Sequence, residues 1–285
     1  MTSAIIVVET GHTSAVELTL TVAAFGNQPG RWPLPTATTP HQLWLRAVAA
    51  GGQGRYGSAY RDLTVLRRSV QVGRLASLAH STHGSFLRQL GWHTLARGWD
   101  GRALALAGTD SEARADALIG LAADALGVGR LAAATTLLTW VDSALASAHL
   151  PDQVADRLAV RRRWVAAELA MVAGDGTTAV HHAEQAVELA RAAQAGGVVS
   201  ARHQVKSEVV LAAALCSAAT TERACAVAEA ALAVTDRLGL IPLRWALACL
   251  LIDIGSVTLS PPELAELRDV CAGQVRRAGG TWRTG

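Results

Sequence analysis

Side chains that could perform chemistry concentrate in residues 81–107 of a chain otherwise rich in alanine and leucine. A short stretch holds His83, Ser85, Arg88, Gln89, Trp92 and His93. A serine beside a histidine is the combination that nucleophilic enzymes use, because the imidazole removes the hydroxyl proton. Ser85 is near histidine only along the sequence, and no GxSxG motif surrounds it. We therefore expect no enzymatic activity.

Histidines and cysteines give weak support for a metal site. His80 and His83 are one helical turn apart, but neither an HExxH motif nor a third ligand accompanies them. The cysteines are scattered through apolar segments without a CxxC pair, which is typical of core residues in a reducing compartment. They are Cys216, Cys225, Cys249 and Cys271. The glycine-rich run from Gly51 to Gly54 lacks the Lys-Ser/Thr of a phosphate-binding loop. The sequence thus predicts neither a metal nor a cofactor.

Composition and charge indicate the compartment and the class of partner. The 285 residues carry a formal net charge of +3, and no basic run resembles a DNA-binding arm, so we expect no nucleic-acid partner. Lys206 is the sole lysine among 26 basic residues, a bias typical of a high-GC bacterial genome. Glu9 and Glu17 interrupt the apolar residues of an N-terminus that lacks a basic segment, which argues against a signal peptide or a membrane span. These features favour a cytoplasmic bacterial protein.

Residues 1–40 differ from the rest of the chain. Ala4–Val8 is β-branched, and the residues from Val16 to Val22 alternate between apolar and polar or small, which predicts two strands joined by a turn at residues 10–13. The alternative is a helix that begins at Ser14, with Glu17 completing a capping box. We favour the strands. The four prolines between Gly26 and Pro40 indicate a linker.

From residue 41 to residue 255 a helix-pair pattern recurs about five times. An apolar residue is followed by a small one four residues later, and by another twelve residues beyond, which lets the two helices approach closely. The small residues of the second helices are Ala59, Ala103, Ala134, Ala179 and Ala224. In the second pair this alignment uses Leu87 and Gly91 as packing positions and places the turn at residues 97–100. The other turns are expected at residues 54–56, 127–130 and 174–176.

Residues 256–285 are predicted to form a C-terminal capping helix and a tail. The apolar segment Ile241–Ile254 should be a buried helix just before it. Ser260-Pro261-Pro262-Glu263 is typical of a helix start, because proline is favoured in the first turn. The helix to Arg277 has a polar face, as an end cap requires, and residues 279–282 are expected to fray.

The pattern resembles the tetratricopeptide repeat, although the spacings of 44, 31, 45 and 45 residues differ from its period of about 34. It is also similar to the degenerate repeats in sensor regions of large bacterial transcription activators. The resemblance implies an all-α fold, a right-handed α-solenoid of antiparallel helix pairs with a short extended or hairpin segment at its N-terminus. It further implies a concave groove lined by the first helix of each pair.

The resemblance also implies which side chains line that groove. Carried over pair by pair, the groove positions are His41, Trp44, Ser85, Arg88, Gln89, Trp92, Asp116, Arg161, Trp164, Glu168 and Lys206. Arginine and tryptophan are enriched at binding hot spots, and arginine binds carboxylates bidentately. In the alternative interpretation the tryptophans fill gaps between helices.

We therefore expect a non-catalytic scaffold or adapter that binds a protein or peptide with acidic and apolar residues, in bacterial transcriptional or signalling regulation. One alternative is a small-molecule sensor or enzyme with a pocket around Ser85, Arg88, Trp92, His93, Trp99 and Asp100. Another is a structural homodimer, assembled through the N-terminal strands or the apolar helix Ile241–Ile254.

Overall fold

The computed structural model describes residues 14–146, 148–195 and 200–283, and within these ranges the chain is helical with no strand. Thirteen helices are described there. They are α1 Ala15–Phe25, α2 Pro40–Gly52, α3 Tyr56–Ser69, α4 Arg74–Gln89, α5 His93–Leu106, α6 Ser111–Gly127, α7 Leu131–Ala146, α8 Asp152–Val172, α9 Gly176–Ala195, α10 Ala201–Ser217, α11 Thr221–Arg237, α12 Ile241–Ile254 and α13 Pro261–Arg277.

The strand predicted from Val16 to Val22 is wrong, because these residues lie in α1. The Ser14 hydroxyl accepts a hydrogen bond from the Glu17 amide at 3.1 Å and so caps the helix N-terminus. An alternating pattern of apolar residues is also compatible with a helix that packs against other helices on more than one side. The helix α1 contacts both α2 and α10, and Leu20 has no exposed surface. The predicted run Ala4–Val8 and the turn at residues 10–13 lie outside the described residues.

The five helix pairs between residues 40 and 237 share one turn geometry. Each turn contains a residue with positive φ, a conformation that glycine adopts without strain: Gly54, Gly91, Gly129, Gly174 and, in the fifth pair, Ala219. Five positions later each second helix buries an alanine completely: Ala59, Ala96, Ala134, Ala179 and Ala224. The turns predicted near residues 54, 129 and 174 are confirmed.

The predicted alignment of the second pair is wrong. Residues 97–100 lie inside α5, and the chain turns instead at Gly91, which has a φ of 87°. Small residues are so frequent here that Ala103 satisfied the pattern as well as Ala96, the residue that occupies the place. The correction moves Asp100 to a position where the other pairs have leucine or alanine, namely Leu63, Leu138, Ala183 and Ala228.

The helices pack in adjacent pairs, an arrangement compatible with a helical repeat fold. Each helix contacts the next one, and the first helices of the pairs also contact one another in succession, from α2 through α4, α6, α8 and α10 to α12. We call these six the inner helices. Side chains from different pairs can therefore meet on this layer, whereas α3, α5, α7, α9 and α11 each pack against the helices that neighbour them in sequence.

The two ends of the array contact each other. The helix α1 packs against both α2 and α10, and the amide of Ala201 donates to the carbonyl of Gly26 at 3.1 Å. At the C-terminal end, the amide of Gly57 donates to Ala278 at 2.7 Å and the amide of Arg283 donates to Leu90 at 2.9 Å. Residues from both termini thus join helix pairs that are far apart in sequence.

The C-terminal helices begin where the sequence predicts, but residues 279–282 do not fray. The side chain and backbone of Ser260 and Glu263 form a capping box at the start of α13. Trp282 packs on Trp245 with ring centroids 4.1 Å apart, and its indole donates to the carbonyl of Ala272 at 3.3 Å. The helix α12 buries Pro242, Leu247, Ala248 and Leu251, but most of its other side chains are partly exposed, so the prediction of a wholly buried helix is only partly correct.

No helix among the described residues combines the length and the hydropathy that a membrane crossing needs.

Candidate ligand-binding site on the inner helices

The predicted groove residues separate into two groups. One group lies on the inner helices α2, α6, α8 and α10 and meets around a common centre: His41, Trp44, Asp116, Arg161, Trp164, Glu168 and Lys206. The other group, Ser85, Arg88, Gln89 and Trp92, was assigned through the wrong alignment of the second pair. These four residues have other roles, described below.

An aromatic row runs through the centre of the inner helices. The ring centroid of Phe25, at the end of α1, lies 5.4 Å from that of Trp44 and 6.4 Å from that of His203. His203 stacks in turn on Trp164, at 5.4 Å with an angle of 15° between the planes. The indoles donate to Thr82 Oγ1 and Ser207 Oγ, which fixes their orientation. A side chain from α1 therefore occupies the middle of the surface that the repeats present.

Two buried carboxylates hold the arginines beside this row. Asp116 accepts hydrogen bonds from Ser81 at 2.5 Å and from Arg157 at 3.0 Å, and it forms an ion pair with Arg161. Burial alone would raise the pKa of Asp116, but Arg161 and Arg157 outweigh it and hold that pKa well below its usual range. Asp116 is therefore ionised at neutral pH.

The second carboxylate, Glu112, bridges Arg157 and one further arginine, Arg74. Its oxygens accept from Arg157 at 2.8 Å and from Arg74 at 2.5 Å. The Arg157 guanidinium also lies 5.4 Å from the ring centroid of Phe25, within the range of a cation–π contact. Phe25 therefore contacts a charged side chain, Arg157, and also the aromatic rings of Trp44 and His203.

Arg202 adds a cation without a carboxylate partner among the described residues. Its guanidinium donates to the carbonyl of Ala24 at 3.3 Å and lies 6.0 Å from the ring of Phe25. Burial and the neighbouring Arg161 and Arg157 lower the pKa of Arg202 to about 10, so it stays protonated at neutral pH. Three arginines of this region, Arg74, Arg157 and Arg161, thus share the two carboxylates Glu112 and Asp116, and Arg202 is a fourth cation beside them.

His203 is the buried histidine of this region. Its Nδ1 lies 2.5 Å from the Ser200 hydroxyl. Burial and the positive charge of Arg202 hold the pKa of His203 well below its usual value, so the imidazole is neutral at neutral pH. A neutral imidazole has one donor and one acceptor nitrogen, and Ser200 occupies one of the two.

A cavity of about 160 Å³ lies beside Phe25, between α1, α2, α4, α6, α8, α9 and the start of α10. Its wall is mostly apolar, with Phe25, Trp44, Leu45, Val154, Val160 and Ala190, and its polar groups include Arg74, Arg157, Glu112, Asp156 and His203. A pocket with mainly apolar walls and a few converging polar groups is the usual form of a small-ligand site.

The residues of the alternative pocket do not converge on this cavity. Arg88, with 11% of its side chain exposed, forms ion pairs with Asp100 and, at 3.0 Å, with Asp124. Burial raises the pKa of Asp100 to about 8, because burial and the charge of Asp124 together outweigh Arg88, which lowers that pKa. One oxygen of each carboxylate, Asp100 Oδ1 and Asp124 Oδ2, has no hydrogen-bond partner among the described residues.

The remaining residues of that pocket also serve packing. Trp92 lies in the turn before α5, and its indole donates to the carbonyl of Thr281 at 2.7 Å. Trp99 stacks on His83 with centroids 3.8 Å apart. Ser85 and Gln89 form only a long contact of 3.5 Å with each other, and the Gln89 carbonyl oxygen accepts from Tyr56 at 2.9 Å. None of the six residues predicted for the alternative pocket lines the cavity beside Phe25.

The histidine pair dismissed as a metal site is engaged in other contacts. The Nδ1 atom of His80 lies 2.8 Å from the carbonyl of Ala76, and the ring of His83 lies between Tyr60 and Trp99. Among the described residues, no three histidine, cysteine, aspartate or glutamate side chains are grouped to hold a metal ion.

The sequence interpretation missed the residues at the centre of the site: Phe25, Arg74, Glu112, Arg157, Arg202 and His203. Two signals pointed toward them. The Ser14-x-x-Glu17 spacing marks a helix start, which would have carried the helix to Phe25. The recurring glycine five residues before a buried alanine would have placed the second pair correctly, and with it Arg74 at the start of an inner helix.

Comparison with models of known protein families finds no match, and comparison with curated protein sequences finds none either. The functional argument therefore rests on the geometry of the inner helices.

Proposed function

We propose that the chain is a non-catalytic binding module of the tetratricopeptide-like type, which holds an acidic and apolar segment of a partner protein on its inner helices. The observation that carries this proposal is the position of Phe25. An aromatic side chain of α1 lies on Trp44 and His203 with the cations Arg157 and Arg202 around it.

The contacts of α1 indicate the chemistry of such a segment. Its apolar end places Phe25 in the aromatic row, and its acidic end places Glu17 3.0 Å from the imidazole of His41. Amphipathic helices bind grooves through anchors of this kind, and tryptophan and arginine are the residues most enriched at such surfaces. A partner segment with an aromatic anchor and a carboxylate one helix length away would take the same surface in place of α1.

Replacement of α1 by a segment of a partner protein would suit an adapter in bacterial transcriptional or signalling control. The partner would compete with a segment that is always present at high local concentration, so that only a segment with better contacts would bind. This competition would set a threshold for association.

The experiment uses a labelled peptide with the sequence of residues 14–26 and the full-length protein. Phe25→Ala removes the anchor from the protein's own α1, so this variant should bind the peptide at least tenfold more tightly than the wild type does. Peptides with alanine at the phenylalanine or glutamine at the glutamate should bind the variant more weakly. Arg162→Gln, which alters an ion pair with the half-exposed Asp142 outside the site, is the matched control.

Fluorescence anisotropy measures each affinity, and thermal melting confirms that every variant is folded. Equal affinity of the folded Phe25→Ala variant for the native peptide and for both altered peptides would show that the inner helices do not select such a segment. The proposal would then fail.

A further inference from the structure

We infer that the cavity beside Phe25 is a binding site for a small planar aromatic carboxylate, of the size of a single ring with a short acidic side chain. This inference does not depend on partner binding, because the cavity is present with α1 in place and Phe25 in its wall. The argument rests on the volume of the cavity, its aromatic walls and the free nitrogens of one arginine.

The volume and the apolar walls of the cavity favour a flat, apolar ligand. An apolar protein cavity of about 150 Å³ holds one benzene molecule, so about 160 Å³ accommodates one ring with a small substituent. The rings of Phe25 and Trp44 form part of the wall, with Leu45, Val160 and Ala190 around them. Aromatic rings favour offset-stacked or edge-to-face packing on such walls.

Arg74 supplies the group that selects a carboxylate. Its Nε donates to Glu112 at 2.5 Å, while neither terminal nitrogen has a hydrogen-bond partner among the described residues. The guanidinium lies 5.8 Å from the Trp44 ring centroid, so a ring packed on this tryptophan would bring its acidic substituent to the arginine. A guanidinium edge with two free N–H groups is suited to bidentate binding of a carboxylate.

The surrounding charges favour an anion there. Glu112 and Asp116 are shared by Arg74, Arg157 and Arg161, and Glu112 binds Arg74 only through Nε, so no carboxylate among the described residues pairs with the terminal nitrogens of Arg74. Asp156 is the one further carboxylate in the described wall, and it forms no ion pair among the described residues. It would repel an anion weakly and so limits binding to ligands with a single negative charge.

The test uses phenylacetate, its neutral isostere phenylacetamide, and acetate, each titrated into the full-length protein by isothermal calorimetry. We expect phenylacetate to bind at least tenfold more tightly than phenylacetamide, and acetate to give no saturable binding. Arg74→Gln should weaken phenylacetate at least tenfold and leave phenylacetamide unchanged, while Asp156→Asn should strengthen phenylacetate. Arg162→Gln should change neither affinity.

A second variant tests the location of the site. Ala190→Leu extends a side chain into the cavity from α9 and should abolish phenylacetate binding in a protein that still melts cooperatively. Equal binding of phenylacetate and phenylacetamide would leave an apolar cavity only, and no saturable binding of either compound would leave no site; each result overturns the inference. Undiminished binding by the folded Ala190→Leu variant would place the ligand elsewhere and overturn it as well.

Discussion

Arg88 on α4 forms a buried ion pair with Asp100 on α5, at the place where the neighbouring helix pairs have leucine or alanine. The carboxylate fits there because its neighbours are glycines. A Cβ atom at Gly84 or Gly120 would lie 2.5 Å from an Asp100 oxygen. The second pair is thus joined to the third through a charged contact, since Arg88 also pairs with Asp124 on α6.

Removal of Arg88 is expected to destabilise the fold. Above pH 8, where Asp100 is ionised, Arg88→Met leaves Asp100 and Asp124 buried without a cation, and breaking a buried ion pair typically costs about 3–5 kcal/mol. Urea denaturation would measure the loss of unfolding free energy. Arg162→Gln, at a partly exposed pair, should cost no more than about 1 kcal/mol. Comparable losses of unfolding free energy in the two variants would contradict the structural role of Arg88. They would instead favour the exposed groove position that the sequence predicted for it.

Asp100 should make the stability of the protein depend on pH. Its pKa is raised to about 8 in the fold and is about 4 in the unfolded chain, so between these values the folded state binds more protons. The free energy of unfolding should therefore fall as the pH rises from about 4 to about 8, and this contribution should level off above pH 8. His93 and Asp124 are close enough to modulate the transition.

The variant Asp100→Asn isolates this contribution, because the amide cannot ionise. Relative to the wild type, its stability should improve by about 1–3 kcal/mol between pH 5 and pH 8.5. Denaturation curves at several pH values would measure the difference, and other titrating groups cancel in the comparison. A constant difference across this range would show that Asp100 keeps one charge state throughout.

Two glycines in the second pair distinguish the observed turn from the predicted one. Gly91→Ala places a side chain at a φ of 87° and 3.2 Å from Arg283, so it should destabilise the protein by about 1–2 kcal/mol. Gly98→Ala lies within α5 with open space around it and should stabilise the protein by about 0.5–1 kcal/mol. Thermal melting of both variants measures the effects, and the opposite signs would contradict the assignment of the turn.

Trp282 should contribute to stability although it is close to the C-terminus. Trp282→Ala removes its packing on Trp245 and a hydrogen bond to Ala272, and we expect a cost of about 2–3 kcal/mol. Val257→Ala, at a side chain that is 91% exposed, should change stability by less than about 0.5 kcal/mol. Denaturant titration would show whether the two differ; equal midpoints would mean that the tail does not support the fold.

The sequence was sufficient for the features that depend on local chemistry. The turn at Gly54, the start of α13 at Ser260 and the bounds of α12 follow from glycine, capping residues and proline. The second pair was misplaced because alanine at position 103 satisfies a small-residue pattern as well as alanine at position 96. The glycine at position 91 and the packing of Gly84 and Gly120 around Asp100 both favour the observed alignment, and that packing involves three helices.

Part of the candidate site was predictable from local spacing in the sequence. Trp44, Arg161 and Trp164 face a common centre because the spacing within an inner helix fixes which side they occupy. Phe25 was not predictable in this way, because its contacts join residues almost 180 positions apart, as with His203. No local sequence pattern predicts that the end of α1 packs against the inner helices.

The contacts that join the two ends of the array restrict how this protein can unfold and evolve. Open repeat proteins lose or gain terminal units with little effect on the others, because each unit touches only its neighbours. Here the amide of Gly57 is bound by Ala278, and that of Arg283 binds Leu90. An inserted helix pair would separate these atoms by roughly the width of a helix, about 10 Å. These contacts between the two ends therefore restrict the number of helix pairs. We expect the chain to unfold as one cooperative domain.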